Sequence, residues 1–99
     1  MKKVEVIHGS GNVFADIGFP ATEAENLLRR TDLMIEVEKW FRRSALSQQV
    51  AAARLGITQP RLNQLLKGKI GLFSIDALVN MLARAGLKVR ITVTGRRVA

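Results

Sequence analysis

Gln59, Arg61, Asn63, Gln64 and Lys67 crowd into the second half of one stretch, LSQQVAAARLGITQPRLNQLLKGK, at residues 46–69. Each of these side chains has a use on a nucleic acid. An arginine fork pairs with O6 and N7 of guanine, and a glutamine amide with N6 and N7 of adenine. A lysine meets a phosphate as a point charge. The stretch holds no Asp or Glu that would repel a phosphate. The plainer alternative is an ordinary helical hairpin whose Gln and Arg are solvated surface.

Other chemistries find too few residues. Cysteine is absent, which excludes a disulfide framework, a thiolate metal site and a thiol nucleophile. His8 is the single histidine, and a metal site needs companions that no other residue supplies, so it reads as a tail residue. HGSGN at residues 8–12 contains glycines, but no Gly-Lys-Ser/Thr follows, so it is not a P-loop. Glu36 and Glu38 are two apart and cannot share a helix face as a carboxylate dyad. Trp40 and Phe41 could stack on single-stranded bases. Their spacing from Met34 and Val37 fits core packing better. Arg29-Arg30 and Arg42-Arg43 read most simply as solvated helix surface. No nucleophile–base set can be assembled, so an enzyme, a metal and a cofactor are not expected.

The polar residues need elements that hold them outward. Ser47 can cap a helix that runs through Leu55, and Gly56 suits the left-handed conformation that ends one. Ala51, in the middle of that helix, is small enough to let a second helix cross closely. Ile57 plugs the hinge and Thr58 can cap the second helix. Pro60 falls in its first turn, where the missing N–H would have no helical partner. Leu62, Leu65 and Leu66 share its inward face, and Gly68 stops it. This is the helix-turn-helix pattern. Such a second helix fits the major groove of B-DNA with its N-terminal residues nearest the base edges.

The rest of the chain must support this pair. With 99 residues, 47% of them hydrophobic, there is material for one compact domain. Residues 1–18 carry the alternating Val4-Glu5-Val6-Ile7 and then GSGN, which suggests a flexible N-terminal arm. Pro20 precedes ATEAENLLRR, where Thr22 and Glu25 match a capping box. Leu27, Met34, Val37, Trp40 and Phe41 then recur at helical spacing. They predict either one long helix to about Arg43 or two helices broken at Thr31-Asp32. Ser74 can cap a last helix with Asp76 in its first turn. Ile75, Leu78, Val79 and Leu82 form its buried stripe, and Gly86 closes it. In LKVRITVT at residues 87–94, Leu87, Val89, Ile91 and Val93 alternate with polar residues, the pattern of a half-buried strand. The expected fold is mainly α. A helix-turn-helix domain of four or five helices, according to whether residues 22–43 break, occupies residues 19–86, the strand residues 87–94 and a loose tail residues 95–99. The strand leaves its N–H and C=O groups unpaired. It can pair with the same strand of a second chain, or with Val4–Ile7 of its own.

Charge separates along the sequence. Of a net +8, residues 1–38 hold four basic and seven acidic residues, and residues 39–99 hold twelve basic residues and one acidic residue, Asp76. A basic half this one-sided points to a polyanion or an acidic partner. The longest apolar runs are too short to cross a bilayer, and MKKVEVIHGSGN lacks the apolar core of a signal peptide, so a cytoplasmic protein with no membrane role is expected.

The stretch at residues 46–69 resembles the helix-turn-helix of the XRE (Cro/phage-repressor-like) family, whose usual form is similar to LTQ-x-x-x-A-x-x-LGI-x-Q. The flanks SGNVFADIGFP and GLFSIDALVNML and the terminal LKVRITV resemble the HigA-like antitoxin branch of that family. The resemblance covers about residues 10–94. It implies a five-helix phage-repressor-like fold and a homodimer that binds double-stranded DNA at an operator with two half-sites. It also implies autoregulation of a toxin–antitoxin operon, with an RNase-type toxin as protein partner. By position it places base reading on Gln59, Pro60, Arg61 and Gln64. Pro60 stands where phage repressors often carry a polar residue. Gln48 matches a phosphate clamp, Thr58 the helix cap, and Lys67, Lys69 and the backbone N–H of Ser74 are further phosphate contacts. Leu87, Val89, Ile91 and Val93 are the expected dimer face. Two functional classes follow: a sequence-specific DNA-binding repressor that is also an antitoxin, and a protein-interaction module that neutralises a partner without specific DNA binding.

Overall fold

The computed structural model describes residues 13–95 and the backbone of residues 2–7. In chain order the elements are β1 (Lys2–Ile7), α1 (Val13–Asp16), α2 (Ala21–Ser44), α3 (Gln48–Leu55), α4 (Gln59–Leu66), α5 (Ile75–Arg84) and β2 (Leu87–Thr92). A 3₁₀ turn at Ile70–Leu72 joins α4 to α5. The fold is mainly α, with five α-helices and a C-terminal strand among the described residues. The stretch expected to be an arm carries β1 and α1. His8 and the rest of HGSGN, and residues 96–99 of the tail, lie outside the described residues.

Of the two alternatives over residues 22–43, the single helix is the one found. α2 runs for 24 residues without a break. Thr31 and Asp32 would favour a turn only if their polar groups found turn partners, but both are engaged within the helix. The Thr31 hydroxyl donates to the Leu27 carbonyl at 2.9 Å, and Asp32 pairs with Arg29 at 3.2 Å. The expected capping box is not formed. Pro20 occupies the N-cap in an extended conformation, its carbonyl accepts from the Ala24 N–H at 2.8 Å, and no side chain caps the end. The proline ring fixes φ where a helix can start directly behind it, so Thr22 already lies inside the first turn. Glu25 turns instead to Arg29, at 3.7 Å. The helix ends at Ala45, which holds the left-handed conformation at φ 56°. The Ser44 hydroxyl bridges that turn, donating to the Phe41 carbonyl and accepting from the Leu46 N–H.

One core ties the helices together. Leu33 and Val37 of α2, Ala51, Ala52 and Leu55 of α3, Leu62 and Leu65 of α4, and Leu78, Met81 and Leu82 of α5 are buried around Phe73. Each large aliphatic side chain buried this way contributes about 1.5–3 kcal/mol. Trp40 and Phe41 pack on the edge of the core, which accounts for them without a role on nucleic acid.

β2 continues this core at its start and leaves it at its end. Leu87 is buried and Val89 half-buried against the core, whereas Ile91 and Val93 are 57% and 88% exposed. β1 and β2 form a two-stranded parallel sheet, with Val4 opposite Val89 and Val6 opposite Ile91. The helical domain is the crossover that a parallel pair requires. One edge of β2 is thus paired within the chain, and its other edge is open among the described residues.

Candidate nucleic-acid interface

α3 and α4 are built as their residue types dictate. The Ser47 hydroxyl accepts from the Val50 N–H at 3.2 Å, capping α3. Ala51 and Ala52 are 0% and 1% exposed, so the crossing with α4 is made over methyl groups. Gly56 adopts φ 77°, its N–H donates to Ala53, and the Ile57 N–H donates to Ala52, which closes α3 in the left-handed turn that glycine adopts without strain. A Cβ at Gly56 would also meet the Arg84 guanidinium, 2.4 Å from its Nε. Thr58 then caps α4, accepting from the Arg61 N–H at 3.3 Å. Gln59 and Pro60 are exposed at the start of α4. Pro60 removes an N–H that the helix would not have used.

The inward face of α4 is Leu62 and Leu65, with Leu66 half-buried beside them. Gln64, Asn63 and Arg61 lie half-buried on its flanks. At the far end the Lys67 and Gly68 N–H groups donate to Asn63 and Leu65, and the Lys69 N–H donates to Gln64 at 3.1 Å. Gly68, at φ 78°, makes this reversal possible. Lys67 and Lys69 are both exposed there. Lys67 also sits where a cation complements the negative end of the helix dipole. Ser74, like Thr58, is exposed and already accepts one backbone N–H, from Ala77 at 3.1 Å. Both hydroxyls keep a proton to donate. Gln48 is half-buried in the first turn of α3.

Arg61 is placed differently from the other residues grouped with it by sequence. Its Nη2 donates to the Leu72 carbonyl at 3.2 Å, and its guanidinium lies 4.7 Å over the ring of buried Phe73. The side chain leans from α4 onto the loop that precedes α5. A base contact from Arg61 requires it to leave this seat.

Arg30, read from sequence as solvated surface, is half-buried. Its Nε donates to Asn26, and its Nη1 makes a long 3.5 Å contact with the Ile70 carbonyl of the same loop. Arg30 and Arg61 line one open polar cleft together with Asn26, Gly71 and Ser74. No sequence signal marks Arg30, because its loop partner lies forty positions away. A second concavity, between α2 and the end of α4, is apolar, with Met34, Ile35, Leu66 and Ile70 in its walls.

No group of His, Asp or Glu among the described residues could hold a metal ion. No helix among them is long and apolar enough to cross a membrane.

Comparison with known proteins agrees with this geometry. Residues 13–94 match the family described as a helix-turn-helix domain. A solved structure described provisionally as an XRE family transcriptional regulator superposes with a TM-score of 0.70 at 32% identity, over 78% of this chain and 90% of that one. No curated protein is matched.

Proposed function

Because the chain belongs to the helix-turn-helix domain family and is an XRE-type DNA-binding transcriptional regulator, not an enzyme, we propose that it is a sequence-specific repressor whose homodimer reads an operator of two half-sites. The observation that carries this is the start of α4. Gln59 and Pro60 stand exposed on a capped helix end, Gln64 lies one turn further on, and no carboxylate occurs anywhere in residues 39–75. Gln59 and Gln64 are assigned to base edges, and Pro60 to apolar contact beside them. Lys67, Lys69, Gln48, Thr58 and Ser74 are assigned to the sugar–phosphate backbone. Arg61 shares a face with Gln64 by its spacing, but its seat on Leu72 and Phe73 favours a phosphate over a base.

Homodimerisation is supported by the open edge of β2 and by Ile91 and Val93, whose apolar side chains emerge from the core into solvent. A second β2 across a two-fold axis covers both. Two reading helices related in this way enter successive major grooves about 34–36 Å apart. Footprinting on DNA upstream of the gene's own operon tests it. Two related half-sites at that spacing are expected, and a single unrepeated site contradicts the dimeric reading.

The regulator is further proposed to be the antitoxin of an operon it controls, with an RNase-type toxin as partner. Support comes from the sequence flanks around the helix-turn-helix. The acidic stretch at residues 16–38 offers less support than its composition suggests. Glu25 and Asp32 pair with Arg29, Glu36 with Lys39 at 3.4 Å, and Glu38 with Arg42 at 3.6 Å, so α2 neutralises most of its own charge. Co-expression with the product of the neighbouring reading frame tests the pairing. A neighbour without ribonuclease activity leaves a solitary repressor.

A further inference from the structure

The cleft between α2 and the loop before α5 brings two arginines together without an acid to balance them. Arg30 reaches it from the side of α2, and Arg61 from the side of α4. Neither makes an ion pair among the described residues. Their partners are neutral: the Asn26 amide, the Ile70 and Leu72 carbonyls, and the Phe73 ring. A guanidinium has five N–H donors, and these contacts use only part of each set. Two like charges lining one polar cleft repel, and the carbonyls that hold them do not cancel a full charge. Neighbouring Arg29, by contrast, is matched by Glu25 and Asp32. The cleft is open to solvent, with a volume of about 420 Å³, ample for a phosphate group and its water.

We infer that the Arg30–Arg61 cleft is a phosphate-binding site, and that on DNA it holds a backbone phosphate beside the groove that α4 enters. This rests on the DNA-binding assignment above and adds to it a residue of α2, outside the helix-turn-helix. Arg61 supplies planar donors from the reading helix itself, and Arg30 closes on the same group from behind the loop. The contact fixes the angle at which α4 meets the duplex, because the phosphate bridges α4 to the long helix α2. It carries no base information, in keeping with the general role of phosphate contacts. A free phosphate offers the same chemistry, so the test separates the two sources.

Binding of a random-sequence duplex is measured against salt for the wild type, Arg30→Gln and Arg30→Lys, with thermal melts to confirm the fold. Inorganic phosphate is titrated in parallel, observed through the arginine side-chain N–H resonances. Loss of one phosphate contact lowers the salt slope by about 0.9, so the affinity ratio of wild type to Arg30→Gln shrinks about threefold to fourfold between roughly 50 and 200 mM salt. Arg30→Lys, which keeps the charge, retains most of the slope. These results establish the DNA phosphate. A wild type that binds no duplex but shows a phosphate response abolished in Arg30→Gln keeps the site and removes the DNA assignment. If Arg30→Gln changes neither the salt slope nor the phosphate response, the arginine only pins the loop and the inference is wrong. Absence of both duplex binding and a phosphate response in the wild type overturns it equally.

Discussion

Arg61 and Gln64 share one face of α4 by spacing, and the roles proposed for them on DNA differ. Gln64 lies half-buried on the flank of the helix, with no side-chain partner described. Gln64→Ala should therefore cost about 1–3 kcal/mol on the operator and little on random DNA. Arg61 is engaged with Leu72 and Phe73, and as a phosphate contact its replacement by Ala should weaken operator and random duplex alike. Equal binding measurements on both duplexes decide between the roles. A loss confined to the operator would return Arg61 to the bases. Lys69→Ala is expected to weaken both DNAs and lower the salt slope by about one unit, since the role proposed for this exposed lysine behind the Gly68 turn is a backbone contact. The polar types and spacing of Gln59, Gln64, Lys67 and Lys69 were legible in the sequence. The seat of Arg61 was not, because it depends on Phe73 being drawn into the core by residues of other helices.

The elements were legible where a residue type has a single local reason to be there. Ser47, Thr58 and Ser74 each cap the helix that their position announced, and Gly56 and Gly68 take the left-handed turns that end two of them. Thr22 was misleading because a proline two positions earlier started the helix first. Residue types alone do not decide the continuity of α2 through Thr31-Asp32, since only the partners inside the helix do. Thr58→Ala should lower stability by about 1 kcal/mol and weaken operator binding, because the cap holds the end of the helix proposed to read the operator. Calorimetry should show a fall in Tm of about 4–8 °C for that loss. Ala45→Gly should act in the opposite direction. Ala45 sits at φ 56°, a conformation that costs a residue with a Cβ about 1–2 kcal/mol. Glycine relieves this and recovers part of it, up to about 1 kcal/mol after its greater freedom in the unfolded chain is counted. Denaturant unfolding measures the difference, and a decrease in stability would show that the left-handed turn is not strained.

At the scale of the whole molecule, charge and shape divide the work. The basic residues 39–99 contain α3, α4 and the cleft wall from α5, while the acid-rich first third is balanced largely within α2. The alternation at residues 87–94 announced a strand, but its neighbour could not be chosen from the pattern alone, because two partners satisfy it equally. The parallel pairing with β1 fills one edge and leaves the other open among the described residues, with Ile91 and Val93 exposed, which is the face proposed for a second chain. A double substitution Ile91→Asp and Val93→Asp should convert a dimer to a monomer in sedimentation velocity while leaving the helical core folded. An unchanged dimer would place the interface elsewhere. The repressor proposed here distinguishes one DNA sequence from others, and its affinity for the operator and for random duplex across a salt series tests this most directly. An operator preference of about 4–10 kcal/mol, carried by contacts that salt does not remove, is expected. Equal affinity for the two duplexes at every salt concentration would contradict it.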